Sequence, residues 1–451
     1  MIGRFPWDPF PPGEPEPKGP DPVHAALYRA AVAGADAYRA VRAAVRRERG
    51  VLRVGNRFVP DGRYRQVGFV ALGHAAASMA LAALDALGDR LTQGFVAGPE
   101  APPAYLPFRS VVVPDGWGGS TSATTTLEAT REIALDLEET DLLLVLLSPG
   151  ALRSTLVAPA TMTPEEFARS LRGAHEHGAT GPEVLSLARV AGGGGVGGRL
   201  LPPTTRCDVQ TLLVDRGEGP RLLGGGPTVP LEPGEPRAAG ELLARLGLER
   251  SLDLTAVGGT EAPLASLPAT GSAGRPVLVA GPSDALRGVT DLAFDKGWTT
   301  RVGFLLLKDR PEEAADRLLG KFDELLGDTR ADPPARSKGL VVAAMATLDA
   351  PEAVGEEAAC RRFLEQARNR LRRREQSVGI YRTVGPIGSK EGNETLGGAV
   401  VGASTDPEAR GSSGDARGLR MRPGITDVGL VLVAVAPSGA ASTGASRRAS
   451  D

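Results

Sequence analysis

Cysteine is nearly missing from this sequence. Cys207 and Cys360, two residues among 451, cannot form a disulfide framework and are too few for a zinc cluster. Both read as buried thiols of a cytoplasmic protein. Aromatic side chains are scarce as well, at 4%, which removes the stacking platforms that single-stranded nucleic acids need. Nor is there an excess of positive charge: 52 Lys and Arg stand against 54 Asp and Glu, a net charge of −2. Binding of nucleic acid through bulk charge is excluded on that balance. No apolar run reaches the length of a membrane span, and the N-terminus lacks a charged-then-apolar signal pattern. Neither nucleic acid nor membrane is therefore an expected partner.

Glycine (59) and proline (37) are plentiful. At this length the chain can bury a substantial core, and length alone suggests two or three domains. Residues 1–22 are rich in proline and read as an extended, disordered leader; 437–451 read as a disordered tail. The stretch 66–88, QVGFVALGHAAASMALAALDALG, organises what lies between. Val67–Leu72 suits one buried strand, Gly73 a turn, and the Ala-rich run from Ala75 a helix. Such a corner can present helix N–H groups and a positive dipole end to an anion; equally, Gly73 can serve only the turn.

Two helices broken near Gly34 are expected over 23–49, with Arg46, Arg47 and Arg49 in the last turn. A hairpin over 51–64 is expected to turn at Gly55-Asn56. Gly94–Ala97 and Ser110–Val113 are short strands, and Pro114-Asp115-Gly116 is a turn. A Ser/Thr/Gly loop leads to a helix over 127–137. LLLVLLSPGA (142–151) is the second strong strand, and Thr163-Pro164-Glu165-Glu166 opens another helix. His175 and His177, two apart, cannot face one metal from one helical face and read as solvent-exposed.

The glycine run 192–198 reads as a flexible linker or as a loop wrapping phosphates. Val209–Val214 is a third strand, and Asp215 at its end is a metal or hydroxyl ligand, or a turn residue. Then follow a helix over 237–246, a mobile loop over 257–275 and a strand–glycine–helix unit over 276–294. The polar stretch 328–337 marks a boundary. Beyond it lie strands at 339–345, 398–401 and 428–435 and a basic helix over 356–374. Strands alternating with helices give an α/β fold, a doubly wound, Rossmann-like and largely parallel sheet, with a smaller C-terminal α/β domain. Ligands on such sheets sit beyond the carboxyl ends of the strands.

Five stretches in order resemble the N-terminal domain of class II (MOFRL-type) glycerate 2-kinases. They are AALYRAAVAGADAYRAVRAAV, YRQVGFVALGHAAASMA, TDLLLVLLSPGA, PEEFARSLRGAHEHGATGPEV and LLVDRGEGPRLLGGGPTVP. The resemblance implies a large domain over 23–330 and a small MOFRL-like domain over 335–436, with the active site in the cleft between them. It also implies transfer of the γ-phosphoryl of Mg-ATP to the 2-hydroxyl of D-glycerate or a related small hydroxy acid.

The departures are specific. Gly73-His74 stands where the family has Gly-Lys, and the glycine- and serine-rich loop is reduced to Ser148-Pro149-Gly150. Arg189 is the only cation kept in LARVAGGGGVGG. Carried over residue by residue, the resemblance gives Asp215, Arg189 and His74 catalytic roles. Gly73, Ser148, Gly150, Gly226, Pro227 and Thr228 fall to ATP, and Asp215 to Mg²⁺. A small hydroxy-acid substrate and further copies of the chain are the expected partners. Two functions follow: an ATP-dependent kinase, or an inactive paralogue that binds a metabolite or a partner protein.

Overall fold

The computed structural model describes residues 30–31, 33–99, 101–113, 121–215, 219–249, 252, 275–297, 299–305, 311–331 and 339–347, and beyond these 366, 383–384, 394–396, 399–401 and 429–437. The leader, the tail from 438, Asp115, all but the last residue of the 257–275 loop, Cys360 and nearly all of the 356–374 helix lie outside them.

Helix α1 (Ala37–Ala44) begins where Asp36 accepts the Arg39 N–H at 2.8 Å. It does not run on to 49. The chain becomes extended at the β-branched Val45, and Val45–Glu48 forms β1. This strand pairs antiparallel with β2 (Val51–Val54), which turns at Gly55-Asn56 into β3 (Arg57–Pro60). Strand pairing wins over helical propensity here, and Arg47 in β1 holds both carboxylate oxygens of Asp61.

The main sheet opens with β4 (Val67–Leu72), helix α2 (Ala76–Leu87), β5 (Leu91–Gly98) and β6 (Arg109–Val112). Helix α3 (Thr121–Asp136) starts six residues before the position expected from sequence, drawing the Thr run into the helix. Buried Thr126 and Thr130 fit because each hydroxyl donates to a carbonyl four residues back. Strand β7 (Leu142–Leu147), helix α4 (Ala151–Thr155) and the two-residue strand β8 (Leu156–Val157) come next. Helix α5 (Pro164–Glu176) carries the expected capping box between Thr163 and Glu166. Helix α6 (Gly181–Ala191), β9 (Gly193–Gly194), β10 (Asp208–Val214), helix α7 (Glu235–Leu246), β11 (Val277–Ala280) and helix α8 (Pro282–Asp295) complete the unit.

All six long strands are parallel, in the order β11-β10-β7-β4-β5-β6. The unbroken apolar run of β7 is explained by burial on both sides. Leu142, Leu144 and Leu146 pack with α1, α2 and α8, while Leu143, Val145 and Leu147 pack with α3 and α4.

A second sheet contains β12 (Thr299–Leu305), β13 (Gly339–Thr347), β14 (Thr383–Val384) and β17 (Gly429–Pro437), with helix α9 (Pro311–Ala331) crossing between its first two strands. The hairpin β15 (Glu394–Leu396) and β16 (Ala399–Val401) lies between β14 and β17 in sequence. Because β12 pairs parallel with β13, the second sheet begins at Thr299. The polar stretch 328–337, read from sequence as a boundary, begins inside the last turn of α9, the crossover helix that such a parallel pair requires. Among the described residues, no helix is long and apolar enough to cross a membrane.

The amino edge of the main sheet is fastened by charge. Asp208, opening β10, accepts two hydrogen bonds from Arg57 (2.9 and 2.7 Å) and one from the Tyr64 hydroxyl (2.6 Å). Fully buried Asp141 accepts from Arg65, Gln66 and the Glu138 amide. Burial pushes both carboxyls up, but these donors outweigh it and hold each below its ordinary value. Burial, then donation to Asp208, pushes Tyr64 up to about 12. Carboxylates with a lowered folded value stabilise the protein above the unfolded value near ~4 and lose that contribution as pH falls through the folded value. The urea midpoint should therefore drop as pH falls below about 4, and Asp208→Asn should flatten that slope while lowering stability at neutral pH. An unchanged acid slope in the variant would place the linkage elsewhere.

Candidate functional site

After β4 the chain adds β5 and β6 on one side, and then β7, β10 and β11 on the other. The strand order reverses between β4 and β7, and in such sheets the crevice at that point, beyond the carboxyl ends, is where ligands bind. The turns after both strands meet there.

Gly73 has φ +103°. A Cβ at this position would collide with the Ser148 carbonyl and stand 2.6 Å from its hydroxyl. Ser148 is fully buried; its hydroxyl donates to Leu72 O (3.1 Å) and accepts the Ala75 N–H (3.0 Å). The His74 N–H donates to Pro149 O at 2.8 Å. The amides expected from sequence to cradle phosphate are thus spent on locking one turn to the other, and the Ser148 hydroxyl serves the same lock. Gly73 is required because two backbones touch.

Above this lock, the His74 ring lies against Gly150, where a Cβ would stand 2.5 Å from Nε2. The ring forms one wall of a recess of about 180 Å³, open mouth included, lined also by Gly98, Val113, Gly150, Arg153 and Ser154. Most of that is open solvent: the enclosed space is about 10 Å³, that of a single water. Gly73, His74, Ser148 and Gly150 are therefore brought together at this edge. Arg153 was missed. The signal available was its position three residues after Gly150, in a helix whose other four residues are all buried.

The second set of expected residues forms a separate cluster. Arg189 is completely buried and all its donors are used. Nε reaches Glu235 (2.7 Å), Nη1 the carbonyls of Arg221, Gly225 and Gly226, and Nη2 the carbonyl of Pro230 (2.6 Å). It clasps the 221–235 segment instead of facing a ligand. Gly226, at φ +56°, leaves the room its guanidinium occupies. The Gly226 and Pro227 carbonyls accept from Gly198 and Leu200, and the Thr228 hydroxyl lies 3.3 Å from that of Thr211.

The 192–198 glycines are neither a linker nor a phosphate wrap. Gly195, Gly197 and Gly198 are buried and donate to Thr155, Gly225 and Gly226. A Cβ at Gly194 or Gly195 would strike Leu127. Close approach of α3 and of the clasped segment, which composition does not display, sets the glycine content.

Asp215 follows β10 and is 5% exposed. Its carboxylate accepts the Gly219 N–H at 2.7 Å and its own N–H donates to Ala280 O. It closes the loop that begins there. Mg²⁺ is held by carboxylates within a near-octahedral oxygen set. Among the described residues, no group of three or more His, Cys, Asp or Glu is assembled for a metal. His175 and His177 bond to the carbonyls of Ala179 and Gly173 through Nδ1; His177 is exposed and His175 half-buried.

Residues 23–257, over half the chain, match the family described as "Domain of unknown function (DUF4147)". The chain belongs to the DUF4147 family. The matched region holds both turns, the recess and the Arg189 clasp. Two solved structures share this fold over 92% of the chain. One is a glycerate kinase from Thermotoga maritima, at 18% identity and a TM-score of 0.61, over 92% of this chain and 99% of that one. The other is the PH0495 protein from Pyrococcus horikoshii OT3, at 17% identity and a TM-score of 0.61, over 92% and 98%. No curated protein matches the sequence.

The clasp makes a clear prediction for this DUF4147 domain. Removing one partner of a buried ion pair costs about 3–5 kcal/mol. Arg189→Gln should lower the unfolding free energy by about that amount, measured by urea denaturation. A variant as stable as the parent would return Arg189 to the list of ligand-facing cations.

Proposed function

We propose that this chain is a glycerate-kinase-like protein that binds the anionic end of a small hydroxy acid in the switch-point recess, as a metabolite-binding paralogue. The observation that carries this reading is that His74 and Arg153 both line one small recess at the carboxyl edge. Phosphoryl transfer needs cations and metal-holding carboxylates around the transferred group. Of the residues the family resemblance assigned to that work, Arg189, Ser148 and Asp215 are engaged in holding the fold. Likeness to a glycerate kinase over nearly the whole chain favours a second reading, ATP-dependent phosphorylation of the same acid.

Calorimetric titration of the full chain with D-glycerate, followed by an ADP-release assay with Mg-ATP, separates the two. The expected result is saturable binding of D-glycerate that His74→Ala weakens, with no ADP release above background. Glycerate-dependent ADP release would replace this reading with the kinase. Absence of binding would remove the recess as a metabolite site.

A further inference from the structure

We propose that the outward face of the β1–β2–β3 sheet docks an acidic peptide segment of a partner protein, its carboxylates on Arg46 and Arg53 and its apolar side chains on Phe58 and Val51. This face stands at the amino edge of the main sheet, where Arg57 of β3 meets Asp208 of β10, and is independent of the recess.

Strand alternation builds the face. Val45, Leu52, Val54 and Val59 pack on the core, so Arg46, Glu48, Val51, Arg53, Phe58 and Pro60 look outward. Pairing places Arg46, Arg53 and Phe58 in one row across the three strands and Glu48, Val51 and Pro60 in the next. An antiparallel sheet with one face on the core ordinarily presents polar residues on the other. Here Phe58 is 69% exposed and Val51 41%.

The charge on this face is one-sided. Residues 45–60 hold five arginines and a single acidic residue, Glu48, in a chain of net charge −2. Arg47 is committed to Asp61 and Arg57 to Asp208. Arg46 has Glu48 at 3.8 Å and donates to the Arg42 carbonyl. Arg53 donates to the Gly55 carbonyl (3.1 Å) and lies over the Phe58 ring, 5.5 Å from its centroid. No carboxylate among the described residues pairs with it. Exposed Arg49, in the turn between β1 and β2, has φ +51° and is the only non-glycine residue with positive φ among the described residues. Glycine or asparagine takes that conformation more readily, so the turn keeps a cation against the local backbone preference.

The occupant follows from charge complementarity. Arg46 and Arg53 stand directly opposite each other on neighbouring strands, and like charges so placed repel. A carboxylate laid between them replaces that repulsion with two ion pairs. A second copy of this chain would set arginines against arginines. A bilayer would call for an aromatic wedge, whereas the Phe58 ring is covered by the Arg53 guanidinium. An acidic segment with apolar residues at its centre matches both kinds of group.

The test measures fluorescence anisotropy of a labelled Glu-Glu-Leu-Tyr-Glu-Glu peptide titrated with the full chain. The same peptide with Gln in place of Glu, phosphatidylserine vesicles and oligothymidylate are titrated beside it. The Glu peptide should bind, and more weakly when added salt cuts the Debye length from about 30 to about 8 Å. The Gln peptide should bind at least about tenfold more weakly, the combined effect of several exposed ion pairs. Arg46→Gln and Arg53→Gln should each weaken binding about two- to fivefold, the range for one such pair, without lowering the thermal midpoint. Phe58→Ser should weaken it about tenfold. Arg237→Gln, which removes an exposed arginine paired along α7, should bind like the parent.

A parent that does not bind the Glu peptide overturns the proposal. So does equal binding of the Gln peptide, or unchanged binding by the Arg46, Arg53 and Phe58 variants. Binding of vesicles or oligothymidylate in place of the peptide overturns it in favour of a lipid surface or a nucleic acid.

Discussion

The contact between two backbone turns governs this structure. Gly73 and Ser148 end neighbouring parallel strands, and they approach so closely that a single methyl group between them would collide with a carbonyl. One hydroxyl, that of Ser148, accepts from the start of the following helix and donates to the strand before it. Everything at the carboxyl edge takes its position from this lock: the direction of α2, the left-handed entry into α4, and the placing of His74 over Gly150. A fold that binds anions elsewhere through free amides at such a corner has used them here to build a rigid shelf.

The two edges of the sheet divide the work. The amino edge buries carboxylates under arginines from the hairpin, where Asp208 and Asp141 tie distant parts of the chain together. The carboxyl edge has a small open space bordered by two basic groups. Between them the strands are apolar on both faces, so neither edge is open to the other except through a packed core. The carboxyl-edge recess and the structural ion pairs at the other edge are thus separated by a low-dielectric slab.

Local pattern revealed most of the architecture. The apolar run of β7 and the Thr163–Glu166 capping box each contain their full signal within a few residues. What local pattern could not show depended on partners far along the chain. Arg189 looked like a ligand-facing cation because its acceptors lie 32 to 46 residues away, and all but the Glu235 carboxylate are carbonyls that have no sequence identity of their own. The 192–198 glycines have the composition of a linker, and only Leu127, Leu156 and Pro230 pressing on them explain why nothing larger is there. Strand β1 was concealed by the helical spacing of α1, which the pairing with β2 overrides. Arg153 falls at a position where the family resemblance supplies no cation, so a reading guided by matched residues passes over it.

The second sheet has an order with consequences for synthesis. Strand 429–437 lies between 339–347 and 383–384, although it is made after both. The main sheet has all its strands once residue 280 has been added. The parallel pair 299–305 and 339–347 must instead wait for a partner that arrives many residues later, on the order of ten seconds at roughly 5–20 residues per second. Through that interval the 339–347 strand, GLVVAAMAT, presents an unpaired edge rich in apolar residues. Such an edge invites pairing with another nascent copy. The cellular risk in making this protein therefore belongs to its C-terminal sheet, and slowing or stalling translation between residues 347 and 429 would prolong it without altering any residue of the finished molecule.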